Sequence, residues 1–103
     1  MSVPDAAAAV EWATTALTAF AILATLIAAV RIVRGPRHAD RVVALDIFLA
    51  AAVALCVAAS LNTGRTVFLD VAIGLALVGF VATVGWARLI ERSAPSDAEE
   101  PRR

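Results

Sequence analysis

The sequence predicts an all-α integral membrane protein with three transmembrane helices. Of its 103 residues, 61% are hydrophobic, and the mean hydropathy is +0.84. An ordinary soluble domain is about 45–50% apolar, and so short a soluble chain buries too little surface to hide the excess. The charged residues are also not scattered; they cluster between the apolar runs and at the two ends. Finally, the runs show no two-residue alternation and are rich in alanine and leucine, which favours helix over strand. A membrane-spanning barrel needs many more strands than this length supplies.

The first span is read at about residues 12–30. Trp12 to Val30 carries no charge over 19 residues, and at about 1.5 Å per residue it nearly crosses a hydrocarbon core of roughly 30 Å. A secretory signal peptide is the competing reading. It would need a positive n-region and a shorter apolar core, whereas MSVPDAAAAVE carries Asp5 and Glu11 and no lysine or arginine. The second span is read at about 42–61, interrupted only by Asp46 in its first turns. The third is read at about 67–87, with Asp70 in its first turn. A polar turn, Asn62-Thr63-Gly64-Arg65-Thr66, joins them. Residues 1–92 thus form one transmembrane domain, and 93–103, SAPSDAEEPRR from Ser93, form a tail with the composition of a disordered segment.

Between the first two spans lies the densest polar stretch, RIVRGPRHADRVVALD, from Arg31 to Asp46. It holds Arg31, Arg34, Arg37 and Arg41, four of the nine basic residues, all of which are arginine. Gly35-Pro36 stops the first helix, and Asp40 is read as the cap of the second. Three helices bring this hinge and the C-terminus to the same side, and that side holds eight of the nine arginines. The positive-inside rule makes it cytoplasmic, with the N-terminus outside. Trp12 and Trp86 then fall near opposite interfaces, as aromatic belts require. The hinge arginines serve as topology determinants and contacts to anionic lipid.

Composition narrows the chemistry. Formal net charge is zero, and no aromatic-plus-basic pattern suits nucleic acid. No nucleotide loop, nucleophile arrangement, haem ligand pair or His/Cys cluster is present, so the sequence supports neither an enzyme nor a cofactor nor a metal site. Cys56 lies mid-span and reads as a small packing residue, and His38 reads as a solvated loop residue. The arginine-only basic set and the high alanine content point to a GC-rich, bacterial coding sequence.

Asp46 is the residue that needs an explanation. A mid-helix carboxylate costs about 2.5–3.5 kcal/mol on insertion scales, and less near an interface. Val42 and Val43 precede it by one turn, so no arginine on its own helix is ideally placed to pair with it. Two readings stand: a proton or cation site facing a polar crevice, or a structural salt bridge to Arg41, Arg37 or another subunit. Asp70 is either a first-turn acid favoured by the helix N-terminus or an outer cation-entry group. Small residues also stripe the spans: Thr14, Thr18, Ala21 and Thr25 on the first; Ala50, Ala54 and Ala58 on the second; Ala72, Ala76, Gly79 and Thr83 on the third. Such faces let transmembrane helices approach closely, within the chain or against other subunits.

The combination of Arg31, Gly35-Pro36 and the run Asp40-Arg41-Val42-Val43-Ala44-Leu45-Asp46 resembles the F-type small component of Mrp-type (Mnh, Pha) multisubunit cation/proton antiporters. Asp70, Ala72, Ala76-Leu77, Phe80, Thr83, Arg88 and Glu91 extend the likeness, which covers roughly residues 15 to 92. Ala82 stands where the family often has glycine, and Leu89 where it often has an aromatic. The resemblance implies a small subunit of a hetero-oligomeric complex in the bacterial inner membrane, exchanging cytoplasmic Na⁺, or K⁺ in some members, for external protons. Its partners would be the other antiporter subunits, among them large ones akin to the membrane arm of respiratory complex I. Asp46, Asp70 and Asp40 become candidates for the cation or proton path, and Arg31, Arg34, Gly35, Pro36 and Arg41 structural and topological residues. The alternatives are a purely structural assembly subunit, or a stand-alone small membrane protein, holin-like or a homo-oligomeric exporter.

Overall fold

The computed structural model describes residues 3–93. It contains three helices: α1 (Val3–Arg34), α2 (His38–Thr63) and α3 (Val67–Ser93). All three are long and apolar enough to cross a membrane, and no strand occurs among the described residues. The chain is a multi-pass membrane protein. The expected tail lies outside the described residues except for Ser93, which closes α3.

Each helix overruns the span expected from its apolar run, because lipid sets the length of the apolar stretch and not where hydrogen bonding stops. α1 begins nine residues before Trp12. Pro4 is tolerated in a first turn, Asp5 favourably meets the helix N-terminus, and the alanines from Ala6 to Ala9 are the strongest helix formers. α2 begins at His38, with Arg37 in the extended conformation at the N-cap. Two expectations are corrected here. Asp40 is not the cap but sits three residues inside, in the first turn, where its charge still complements the unsatisfied N–H groups. His38 is the first helical residue and not part of a loop. At the other end of α2, Gly64 takes a left-handed conformation (φ 69°), and its N–H donates to Ser60 O at 2.8 Å. A side chain there would strain the backbone, so glycine suits this C-cap.

α2 is the central helix. It packs against both α1 and α3, whose backbones do not approach one another among the described residues. The arrangement is therefore an open row of antiparallel helices and not a closed bundle. Its seams are made of small side chains at seven-residue intervals: Thr14, Ala21 and Ala28 on α1; Ala44, Ala51 and Ala58 on α2; Ala72 and Gly79 on α3. Seven residues are close to two turns, so each set forms one strip. The strips differ in part from the expected stripes: Thr14, Ala21, Ala58, Ala72 and Gly79 are buried, whereas Ala50, Ala76 and Thr83 are exposed. No large side chain among the described residues is fully buried. Helices associate here by close van der Waals approach, as membrane helices do without a hydrophobic force between them.

The hydroxyls on the spans are satisfied locally. Thr14, Thr18 and Thr25 donate to the carbonyls of Val10, Thr14 and Ala21 at 2.8, 2.8 and 2.7 Å. No buried side-chain N or O atom among the described residues lacks a hydrogen-bond partner. That is the condition for stable insertion in hydrocarbon.

The α1–α2 hinge is the tightest part of the fold. Gly35 is buried and its N–H donates to Arg31 O at 2.7 Å. A Cβ at Gly35 would lie 2.7 Å from that carbonyl oxygen and 3.2 Å from Arg41 Cγ. Gly35→Ala is therefore expected to lower stability by about 1–3 kcal/mol, the usual range for overpacking. Gly85→Ala, with nothing within 4 Å of the new methyl group, should be neutral or slightly stabilising. Thermal unfolding of the detergent-solubilised chain followed by circular dichroism checks both.

Candidate functional site

The expected site acids separate into three places. Asp40 faces α1 from the first turn of α2, and its Oδ1 lies 3.6 Å from Arg31 Nη2. At the next position, Arg41 Nε donates to Gly35 O at 3.1 Å. The hinge residues Arg31, Gly35, Asp40 and Arg41 thus form one knot: Arg31 reaches the Asp40 carboxylate and Arg41 the Gly35 carbonyl. Arg34 ends α1, and Pro36 lies in the turn between the helices. With Arg31 64% and Asp40 34% exposed at the side chain, the ion pair is a surface one, in the class worth about 0–1 kcal/mol.

Asp70 sits in the first turn of α3 and is exposed. Its backbone N–H reaches Thr66 O at 3.3 Å. It does not line the cavity that contains Asp46. Asp70 and Thr83, the residue level with Asp46 on α3, are thirteen positions apart, about 20 Å of helix rise. Asp70 and Asp46 are therefore not parts of one cluster.

Asp46 lies eight residues into α2, about 12 Å along the axis from His38. Six positions on a helix turn through about 240°, so Asp46 looks away from Asp40 and toward α3. Thr83 Oγ1 donates to Asp46 Oδ1 at 3.2 Å. That is the carboxylate's one hydrogen bond among the described residues. The hinge arginine that pairs with an acid of α2 is Arg31, and the acid is Asp40. Neither Arg37 nor Arg41 neutralises Asp46 within the chain.

Asp46 and Thr83 lie at one end of an open groove of about 470 Å³ between α2 and α3. Leu49, Ala50, Val53, Leu75, Ala76, Gly79 and Phe80 line the rest. The groove is shallow because the helices nearly touch beneath it: a Cβ at Gly79 would lie 3.5 Å from Leu49 Cδ1. The arrangement is one carboxylate and one hydroxyl on an apolar floor, exposed to whatever adjoins the α2–α3 face. It can hold a proton, a monovalent cation with further ligands from outside the chain, or a cationic side chain. It lacks the donor set of a resident metal site, and no group of three His, Cys, Asp or Glu side chains converges among the described residues.

The comparison with known proteins follows the same residues. A family model described as "Multiple resistance and pH regulation protein F (MrpF / PhaF)" matches residues 39–91, which run from just before Asp40 to Glu91 near the end of α3. This chain belongs to the MrpF/PhaF family. A protein of Rhizobium meliloti (strain 1021), named as the F component of a probable K⁺/H⁺ antiporter, is 30% identical over 84 residues, covering 82% of this chain and 91% of that protein. The F component of the Na⁺/H⁺ antiporter of Bacillus subtilis (strain 168) is 29% identical over 70 residues, covering 68% of this chain and 74% of its own. No solved structure matches. The stretch matched in the MrpF/PhaF family contains all three candidate acids and both walls of the groove, and leaves out α1.

The different settings of the two α2 acids give a direct expectation. Asp40→Asn removes a surface ion pair and a first-turn charge, so the chain should unfold within about 1–2 kcal/mol of the parent. Chemical unfolding of the purified chain in detergent, read by tryptophan fluorescence from Trp12 and Trp86, measures the difference.

Proposed function

We propose that this chain is the small F-type component of a hetero-oligomeric monovalent cation/proton antiporter of the bacterial inner membrane, and that Asp46 belongs to the route of the exchanged ions. The observation that carries the reading is the setting of Asp46: a carboxylate at membrane depth, hydrogen-bonded once, by Thr83, and opening on a groove at the surface of the chain. Bringing a carboxylate to such depth costs about 2.5–3.5 kcal/mol at a helix centre. Residues of this kind face bundle interiors or water-filled paths and mark ion routes. The relatives' names, one for K⁺ and one for Na⁺, support a monovalent cation exchanged for protons. They also support a subunit over a stand-alone holin-like protein or exporter. On this reading the chain is a transport component and not an enzyme, and its partners are other antiporter subunits, the ions and the surrounding lipid.

A second reading has its own observation. The groove floor is made of Ala50, Ala76 and Gly79, and small residues admit a neighbouring transmembrane helix. Asp46 would then latch onto a cationic or donor side chain of another subunit and serve assembly. Asp46→Asn, made in the complete set of subunits, separates the two. The transport role predicts normal complex on native gels and a cation-driven ΔpH in everted vesicles reduced roughly tenfold or more. The latch role predicts loss of the complex. Normal complex with normal exchange would exclude both.

The orientation rests on arginine placement, which puts the hinge and the end of α3 in the cytoplasm and the N-terminus outside. In a Cys56→Ala background, Ser93→Cys should react with an impermeant maleimide in everted vesicles and Thr63→Cys in right-side-out cells. The reverse pattern would overturn the assignment.

A further inference from the structure

Thr83 has more acceptors within reach than it has protons. Its Oγ1 lies 2.9 Å from Gly79 O on its own helix and 3.2 Å from Asp46 Oδ1 on α2. A threonine hydroxyl has one proton to donate and two lone pairs, so only one of these oxygens is served at a time. The other membrane threonines described above have no such choice, since each bonds only the carbonyl four residues back.

We propose that Thr83 is the positioning residue of Asp46, turning its hydroxyl between two arrangements according to whether the carboxyl group is ionised or protonated. When Asp46 is ionised, Thr83 donates to Oδ1. Gly79 O then keeps only the backbone N–H of the helix, which suffices for it. When Asp46 takes up a proton on Oδ1, that O–H donates to Thr83 Oγ1, and the Thr83 proton turns back to Gly79 O. No proton passes through threonine. The proton that Asp46 gains comes from the groove and returns to it, and the only change on α3 is a rotation about the Cβ–Oγ1 bond.

The two arrangements differ in completeness. The protonated one is closed: Asp46 donates to Thr83, and Thr83 donates to Gly79. The ionised one satisfies a single lone pair and leaves the remaining carboxylate charge facing Ala50, Ala76 and Phe80, none of which donates. A charge so placed needs a companion. No charged side chain of α1 or α3 lies within ion-pair distance of Asp46 among the described residues. α1 carries no charge between Glu11 and Arg31. On α3, Asp70 lies thirteen positions before Thr83 and Arg88 five positions beyond it, about 20 Å and 7.5 Å of rise. On α2 itself, Arg41 lies five positions before Asp46 and is turned to Gly35. The companion is then a monovalent cation in the groove, present when the proton is absent. Thr83 makes the two occupants alternatives by holding Oδ1 in place for either. This rests on Asp46 being an exchange group.

The test uses the whole complex in proteoliposomes, with Thr83→Val (same shape, no hydroxyl), Thr83→Ser (hydroxyl kept) and Asp46→Asn. The readouts are complex yield, the cation KM of exchange, and the infrared carboxyl stretch that appears when the cation is withdrawn and is absent in Asp46→Asn. Thr83→Val should assemble, raise the cation KM about tenfold, as for loss of a hydrogen bond to a charged group, and move the carboxyl band to higher frequency, as for a carboxyl O–H that has lost its acceptor. Thr83→Ser should restore both. A parental KM and unmoved band in Thr83→Val, or a Thr83→Ser that behaves like Thr83→Val, would overturn the proposal. If Thr83→Val fails to assemble, Thr83→Cys, a weaker hydrogen-bonding group, should raise the KM above that of Thr83→Ser but by less than about tenfold; a parental KM there overturns it equally. Loss of exchange in Asp46→Asn with no effect at Thr83 sinks this inference alone, whereas undiminished exchange in Asp46→Asn sinks the ion-route reading beneath it.

Discussion

Hydrocarbon offers no hydrogen bonds, and the structure follows from that one restriction. Backbone polar groups on the spans are taken up by helix, and Thr14, Thr18 and Thr25 each return their proton to a carbonyl one turn back. Only at the ends, where water and headgroups begin, do the arginines gather and the helices run on past the apolar stretch. Against that background Asp46 is the exception on the spans. Its partner, Thr83, is also the one span threonine with a second acceptor in reach.

Packing and chemistry use different faces of the same helix. α2 turns Ala44, Ala51 and Ala58 into the seams that hold the row together, and Asp46 and Ala50 onto the groove. Leu49 lies between these functions, meeting Gly79 where α2 and α3 come closest. The absence of a side chain at Gly79 fixes how near α3 comes, and hence whether a hydroxyl one turn further on reaches the carboxylate. The short contact that builds the fold is what sets the distance at the site.

Much of this was legible in the residues. Apolar length gave three helices, Gly35-Pro36 and the 62–66 turn gave their breaks, and the lone mid-span carboxylate gave the site's first member. The partners of the acids were less visible, although connectivity contains them. In an antiparallel hairpin, residues equidistant from the turn face one another: Arg31 and Asp40 are each four residues from the Gly35–Pro36 bond, and Asp46 and Thr83 are each eighteen from Gly64–Arg65. Reading Asp40 as a cap concealed the first pair, and reading Thr83 as part of a small-residue stripe concealed the second. What the residues do not contain is which alanines are buried, because four-residue and seven-residue spacings both place small residues on a face, and the choice depends on how the neighbouring helix crosses. The helix ends were misjudged for a related reason: hydropathy measures solubility in lipid, whereas alanine, serine and arginine keep a helix going in water.

An open row of three helices joined by alanine has almost no interior of its own. Phe20, Leu26, Leu77, Phe80 and Val81 are more than half exposed, and among the described residues no bulky side chain is enclosed to lock the helices at one angle. Such a chain reaches its lowest free energy only when neighbours supply the missing walls, so its persistence in a cell is tied to how much of them is made.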